Sequence, residues 1–387
     1  MEINGIAIYT NVIWHYDPSK KNNSMLNKAI VITLMFSLLL ILSCKNQSED
    51  ANISNDYAID IRVDPTVELF CTIHRLAKTN QYATNKFPRY IDDIEDYFEK
   101  FQDHSAVQLA IHQRNQNRIN GSAPMSLAVY LNLPTQLTSK NDLFPSPDGL
   151  DHRWTENEIN TFIEAAKSFS TDSDFMKFFY SKQELYNRSI NNLHNYIKND
   201  SILEWFNAYF GYQPGIFSII LGMQNGHSNY GLTVTHSDST KEYIAILGAS
   251  AKWWNGTPKF ADYWIIPTIV HEFCHSYINP LVNNNYNNFK LSADQIFKKE
   301  PPVSYNHPET MMHEYLVRAC TIRFFYSKND IETITRRIKI DKTDGFPAIE
   351  ELVELLNKYE KNRNRYATLS EFIPEIQLFF TSYASSL

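Results

Sequence analysis

Two histidines four residues apart, His271 and His275, stand in the stretch Thr268-Ile269-Val270-His271-Glu272-Phe273-Cys274-His275-Ser276-Tyr277. On a helix, positions four apart lie on one face a single turn from each other, so the two imidazoles can converge on one tetrahedral metal. This pair constrains the fold more than any other feature, because it demands a helix here and a protected place to put it. Glu272 follows the first histidine by one position and is rotated off the ligand face, where its carboxylate can take a proton from a metal-activated water without binding the metal. The neighbouring residues are uncharged, as a buried site requires. Pro267 and Pro280 punctuate the motif as a single helix of about three and a half turns.

A third protein ligand leaves one coordination position open, the arrangement of catalytic zinc. The segment Pro308-Glu309-Thr310-Met311-Met312-His313-Glu314-Tyr315-Leu316-Val317-Arg318-Ala319 supplies Glu314, 39 residues beyond His275 (314 minus 275). His313, Glu309 and His307 are its rivals, and a surface ion pair between Glu314 and Arg318 is the bland alternative. Asn306 or His307 caps this helix and Pro308 opens it. Arg318 and Asn279 are candidates to support the ligands from behind, with Arg318 pairing to Glu314 or Glu272. Tyr305, His307 and His313 are candidate donors to an oxyanion. The spacing of Glu314 is similar to the gluzincin branch of the zinc peptidases. That resemblance implies Zn2+ held by His271, His275 and Glu314, with Glu272 as general base in hydrolysis of a peptide or protein.

The N-terminus reads as an export signal. Ala29 to Ser43 is an uncharged apolar run after Lys28, too short to span a bilayer and of the right length for a signal-peptide core. Ile41-Leu42-Ser43-Cys44 resembles a lipobox, in which Cys44 becomes the lipidated first residue. Residues 1–24 then read as an upstream extension, 25–43 as the signal peptide and 44–60 as a polar tether. Ser48-Glu49-Asp50 resembles the acidic signal of some surface-exposed Bacteroidetes lipoproteins. The expected location is therefore the cell envelope, at the outer membrane and its surface, with a membrane contact through the lipid. With 36 basic and 43 acidic side chains, a net charge of -7 provides no footprint for nucleic acid. Cys71, Cys274 and Cys320 show no CxxC spacing and read as small buried hydrophobes.

Apolar residues spaced at three and four make 61–210 helical: Val67 to Ala77, Tyr90 to Phe101, Ala106 to Asn115, Met125 to Leu131, Thr155 to Phe169 and Phe175 to Ile197. Between Phe217 and Gly248 the β-branched runs Ile219 to Leu221, Gly231 to Thr235 and Tyr243 to Leu247 read as two or three antiparallel strands of a small antiparallel or mixed sheet. Either of the last two can pair with an extended substrate, and Asn229 and Tyr230 are candidates to line the cleft, with a turn before a strand as the bland alternative. Helices return at Pro267 to Asn279, Pro308 to Phe325, Phe346 to Tyr359 and Leu369 to Tyr383, with Asn283 to Asn288 as a loop. The expected fold is α+β and mostly helical: a helical N-terminal half, then a zincin-like domain over 211–387 holding the sheet and the active-site helix.

His271 to Pro280, with Asn229-Tyr230-Gly231 upstream and Glu314 to Ala319 downstream, also resembles a family of Bacteroidetes lipoproteins known only by a domain of unknown function. Val67-Glu68-Leu69, Arg75-Leu76, Pro124 to Ala128 and Tyr359 to Tyr366 extend the likeness over roughly residues 60 to 385. The family implies a helical part fused to a zincin and names no substrate. A lipoprotein binding module that keeps the metal site without cleaving is the alternative expectation, and histidines satisfied in a core without metal the blandest.

Overall fold

The residues Ile216 to Gly222 (β2) and Lys241 to Gly248 (β4) are almost continuously apolar and buried on both faces. Such strands belong in the middle of a sheet covered on both sides. They are the two central strands, in the order β1-β2-β4-β3, with Asp60 to Arg62 as β1 and Tyr230 to Thr235 as β3. The structure, a computed structural model, describes residues 59–387 apart from 84–87, 133, 135–136, 139–149, 213–214 and 250. The upstream extension, the signal peptide, Cys44 and the tether as far as residue 58 lie outside the described residues.

The sheet is mixed, the second of the two arrangements expected, and its strands are not all antiparallel. β1 runs parallel to β2 and β2 parallel to β4, with Ile219 opposite Ala245, and only β3 and β4 form an antiparallel hairpin across His236 to Thr240. The cause is that β4 inserts between β2 and β3 instead of adding outside β3. That leaves β3 at the edge of the sheet and β4 paired on both sides. A second hairpin, Ala251 to Lys252 (β5) with Pro258 to Lys259 (β6), follows.

Between β1 and β2 runs the helical half: α1 (Pro65–Leu76), α2 (Asn80–Ala83), α3 (Pro88–Phe98), α4 (Ser105–Asn117), α5 (Ser122–Ala128), α6 (Glu156–Asp172), α7 (Phe175–Ser181), α8 (Gln183–Ile197) and α9 (Ile202–Phe210). It is an excursion from one sheet, and the described residues belong to one compact unit. Asp64 caps α1 by accepting from the Thr66 and Val67 amides, and Thr155 and Glu158 form a capping box on α6. The run expected from Phe175 to Ile197 breaks at Lys182, where the backbone leaves helical geometry. Cys71, Cys274 and Cys320 are buried and unbridged.

Buried Glu68 ties this half to the sheet. Its carboxylate accepts from the Met223 amide at 2.8 Å, Gln224 at 3.1 Å and the Tyr90 hydroxyl at 2.9 Å. Burial pushes this carboxyl up from 4.5 to about 7, against the opposing pull of those donors. Between those two values the folded chain holds a proton that the unfolded chain has released, so the stability contributed by Glu68 falls as pH rises through the interval. Glu68→Gln removes this dependence. The stability of the wild type relative to Glu68→Gln is expected to fall by on the order of 3 kcal/mol from about pH 4.5 to about pH 8, as read by thermal unfolding.

The chain continues as α10 (Ile265–Lys299), which packs on β3 and β4, then α11 (Pro308–Ser327), α12 (Ile331–Thr343), α13 (Ile349–Lys361) and α14 (Ile373–Ser386). Aromatic rings bind α10 to β2 and to α9: Phe273 meets Phe217 at 4.8 Å and Tyr277 meets Phe210 at 4.0 Å. Pro280 does not end this helix, and Asn283 to Asn288 is not a loop. The interior proline costs about 3 kcal/mol, but Ile278, Val282, Phe289, Ala293 and Ile296 continue a buried stripe through both. Tertiary packing overrides the proline and the weak helix propensity of asparagine.

Candidate metal centre

The motif helix presents His271 and His275 on one face, their rings 5.0 Å apart and nearly perpendicular. α11 crosses it so that Glu314 meets both: its carboxylate oxygens lie 3.7 Å from His271 Nε2 and 3.5 Å from His275 Nε2. Tetrahedral zinc with bonds of about 2.0–2.1 Å sets its ligand atoms roughly 3.3 Å apart, close to this spacing. Among the described residues these three form the one cluster of His, Cys, Asp or Glu placed to hold a metal ion, all donor atoms lying within 4.8 Å of one another. The rivals Glu309, His307 and His313 are not part of it. The donor set of two imidazoles and a carboxylate suits zinc and leaves one position open.

The surroundings prepare each ligand. The side-chain carbonyl of Asn279, one turn beyond His275, sits 3.1 Å from His275 Nδ1. It accepts the Nδ1 proton and so leaves the Nε2 lone pair directed at Glu314. Burial drives His271 well below the usual histidine range, and His275, Arg318 and Arg337 add to this, so its ring is neutral as a ligand must be. Arg318 Nε donates to Glu314 at 3.1 Å. The other end of this guanidinium donates to Asp341 at 2.5 Å and Asp344 at 3.2 Å, and its plane lies over Phe346. Burial works against the Arg318 charge, but Glu314 and Asp341 hold it firmly protonated. Asp341 also accepts from Arg337 at 3.3 Å.

Asp341 is absent from the expectations above. It is fully buried on α12, a helix whose sequence carries only Ile334 and two threonine or aspartate positions inward, too few apolar residues for a stripe. Its signal is local: Asp341 follows Arg337 by four residues, a spacing that pairs charges on one helix. If added zinc binds at the three converging side chains, Asp341→Asn is expected to weaken that binding about tenfold through Arg318 and Glu314, measured by competition with a chromogenic chelator, while the circular dichroism spectrum stays that of the wild type.

Glu272 turns away from the ligands toward β3. Burial pushes its carboxyl up to about 7, reinforced by Glu314 and opposed by His275 and by the Gly231 amide, which donates to it. Gly231 is a glycine because nothing larger fits: a Cβ there would stand 2.5 Å from the backbone oxygen of Glu272 and 3.2 Å from His275 Cβ. The edge strand thus lies directly on the motif helix.

Around the centre opens a cleft of about 980 Å³. Asn229, Tyr230 and the edge strand line it, with Ser276, Asn279 and Asn283 of α10, while Ser122, Ser126 and Asp151 of the helical half close the opposite wall. Of the three candidate oxyanion donors, Tyr305 alone lines the cleft, its hydroxyl against Glu314 and Arg318 and held protonated by burial. His307 is used as the cap of α11, its ring nitrogen accepting from the Glu309 amide, and His313 is 2.7 Å from Asn283.

The family described as Domain of unknown function (DUF4932) matches residues 59–378. The chain belongs to that family. Within the DUF4932 match lie all the strands, both halves of the cleft and the three converging side chains. No curated protein and no solved structure matches the chain.

Proposed function

We propose that this DUF4932 protein is a zinc-dependent peptidase of the gluzincin kind, acting outside the cell as a lipid-anchored envelope protein. The observation that carries the reading is the convergence of His271, His275 and Glu314 within 4.8 Å, beside a buried Glu272 whose proton affinity is raised to about 7. A zinc ion held there supplies Lewis acidity and lowers the pKa of water toward about 7. Glu272 accepts the proton of the attacking water and passes it to the departing amine, from a buried place beside the three converging side chains. Tyr305 donates to the oxyanion. His275 is kept in its ligand tautomer by Asn279, and Arg318 orients Glu314.

An extended substrate lies along β3. The Gly231 amide is engaged by Glu272 and the Thr233 carbonyl accepts from Tyr130 at 3.0 Å, which marks both residues as facing outward from the sheet. The Gly231 carbonyl and Thr233 amide therefore flank Leu232 as a ready pair for one rung of antiparallel pairing. The envelope location rests on residues 25–44; among the described residues no helix is long and apolar enough to cross a membrane. Incubation of the zinc-loaded chain with a peptide library, beside Glu272→Gln, tests the function. Cleavage by the wild type alone is expected. Bound zinc with cleavage by neither protein would instead favour the binding module.

A further inference from the structure

The strand register extends the cleft past the metal centre to a cation. Gly231 lies against Glu272 and His275. Two residues on, Thr233 is opposite Tyr243, whose ring stacks on Tyr277 at 6.1 Å. Two further, Thr235 is opposite Lys241. Alternation puts the Lys241 side chain on the same face as Tyr243, toward α10, and both line the cleft. At about 3.3 Å per residue, Lys241 is roughly 13 Å along the strand from the catalytic carboxylate, or four residues of extended chain. This is beside the turn of α10 where Pro280, Asn283 and Asn284 also face the cleft.

The charges lining the cleft are few. Glu272, Glu314, His271 and His275 belong to the centre, and Asp151 is neutralised by Arg153, whose Nε and second guanidinium nitrogen donate at 2.8 and 2.6 Å. His152 pairs with Asp151 at 3.9 Å. Lys241 has no ion-pair partner among the described residues, and the side chains sharing its end of the cleft are uncharged.

We propose that Lys241 is a specificity-determining residue that binds a carboxylate of the substrate about four residues from the cleaved bond. Antiparallel pairing at the single rung beside Leu232 sends the amino side of the substrate toward the Lys241 end of the cleft, so the carboxylate is an Asp or Glu side chain on that side and not a chain terminus. The inference rests on the peptidase reading for the position of the cleaved bond, and its test separates the two. Peptides with Glu, Gln or Lys three, four or five residues before the cleaved bond, each as free acid and C-terminal amide, are offered to the zinc-loaded wild type for cleavage. The same set is offered to zinc-loaded Glu272→Gln for binding by fluorescence polarisation. A preference for Glu over Gln of roughly five- to tenfold is expected in both, with no effect of the amide. It is expected to vanish in Lys241→Ala and to turn toward Lys-bearing peptides in Lys241→Glu.

Cleavage without this preference, or a preference that survives Lys241→Ala, overturns the inference and leaves the peptidase. Lys241-dependent binding of acidic peptides without cleavage supports the inference and overturns the peptidase. A preference carried by the free C-terminus reverses the substrate and overturns the assigned direction. Absence of both binding and cleavage overturns both.

Discussion

Glu272→Gln is expected to cut kcat/KM for peptide hydrolysis by about 10³-fold, or about 4 kcal/mol, while bound zinc stays at the wild-type amount. The two halves of this result come from the same geometry. Glu272 faces the Gly231 amide and lies outside the cluster of His271, His275 and Glu314, so its loss removes a proton acceptor and no ligand. Glutamine is nearly the same size and its carbonyl still accepts from Gly231, so β3 keeps its seat on the helix. Kinetics alongside metal content by plasma emission checks both halves. Retained activity would remove Glu272 from the chemistry, and a parallel loss of zinc would make it a ligand.

A methyl group at position 231 is expected to do nearly as much damage from outside the ligand set. In Gly231→Ala the new Cβ would meet the Glu272 backbone oxygen at 2.5 Å. That oxygen belongs to a helix held by Phe217, Phe210 and the C-terminal helices and cannot yield as a flexible side-chain tip would. The strand must lift, at a cost of about 2 kcal/mol in stability. Its amide then leaves Glu272 and its edge leaves the substrate, and a displacement of about 1 Å lowers kcat/KM by about 10²-fold. Thermal unfolding and steady-state kinetics measure the two effects. An unchanged activity would mean that β3 does not position the general base or the substrate.

What the sequence makes legible here is local chemistry. The i and i+4 spacing of His271 and His275 is visible because helix geometry alone brings them together. Glu314 with Arg318, four residues apart and behind Pro308, is visible for the same reason. Strand positions follow from β-branched runs, but the sheet order does not: whether β4 adds outside β3 or inserts beside β2 is decided by packing of β2 and β4 between two helical layers. Pro280 and the asparagine run mislead because the buried stripe from Ile278 to Ile296 outweighs propensity. Asp341 is hidden because a charged residue at a buried position carries no apolar signature, and its partner Arg318 lies on a different helix. The choice among Tyr305, His307 and His313 needs the fold, since only the crossing of α11 over α10 decides which of them faces the cleft.

The central claim is that His271, His275 and Glu314 hold one zinc ion, and X-ray absorption at the zinc edge of the protein purified with its metal tests it most directly. The account predicts one zinc per chain with two imidazole nitrogens at about 2.0–2.1 Å and oxygen ligands completing four-coordination, with one imidazole lost from the spectrum in His275→Ala. A chain that takes up no zinc, or zinc whose spectrum is unchanged by His275→Ala, would contradict it.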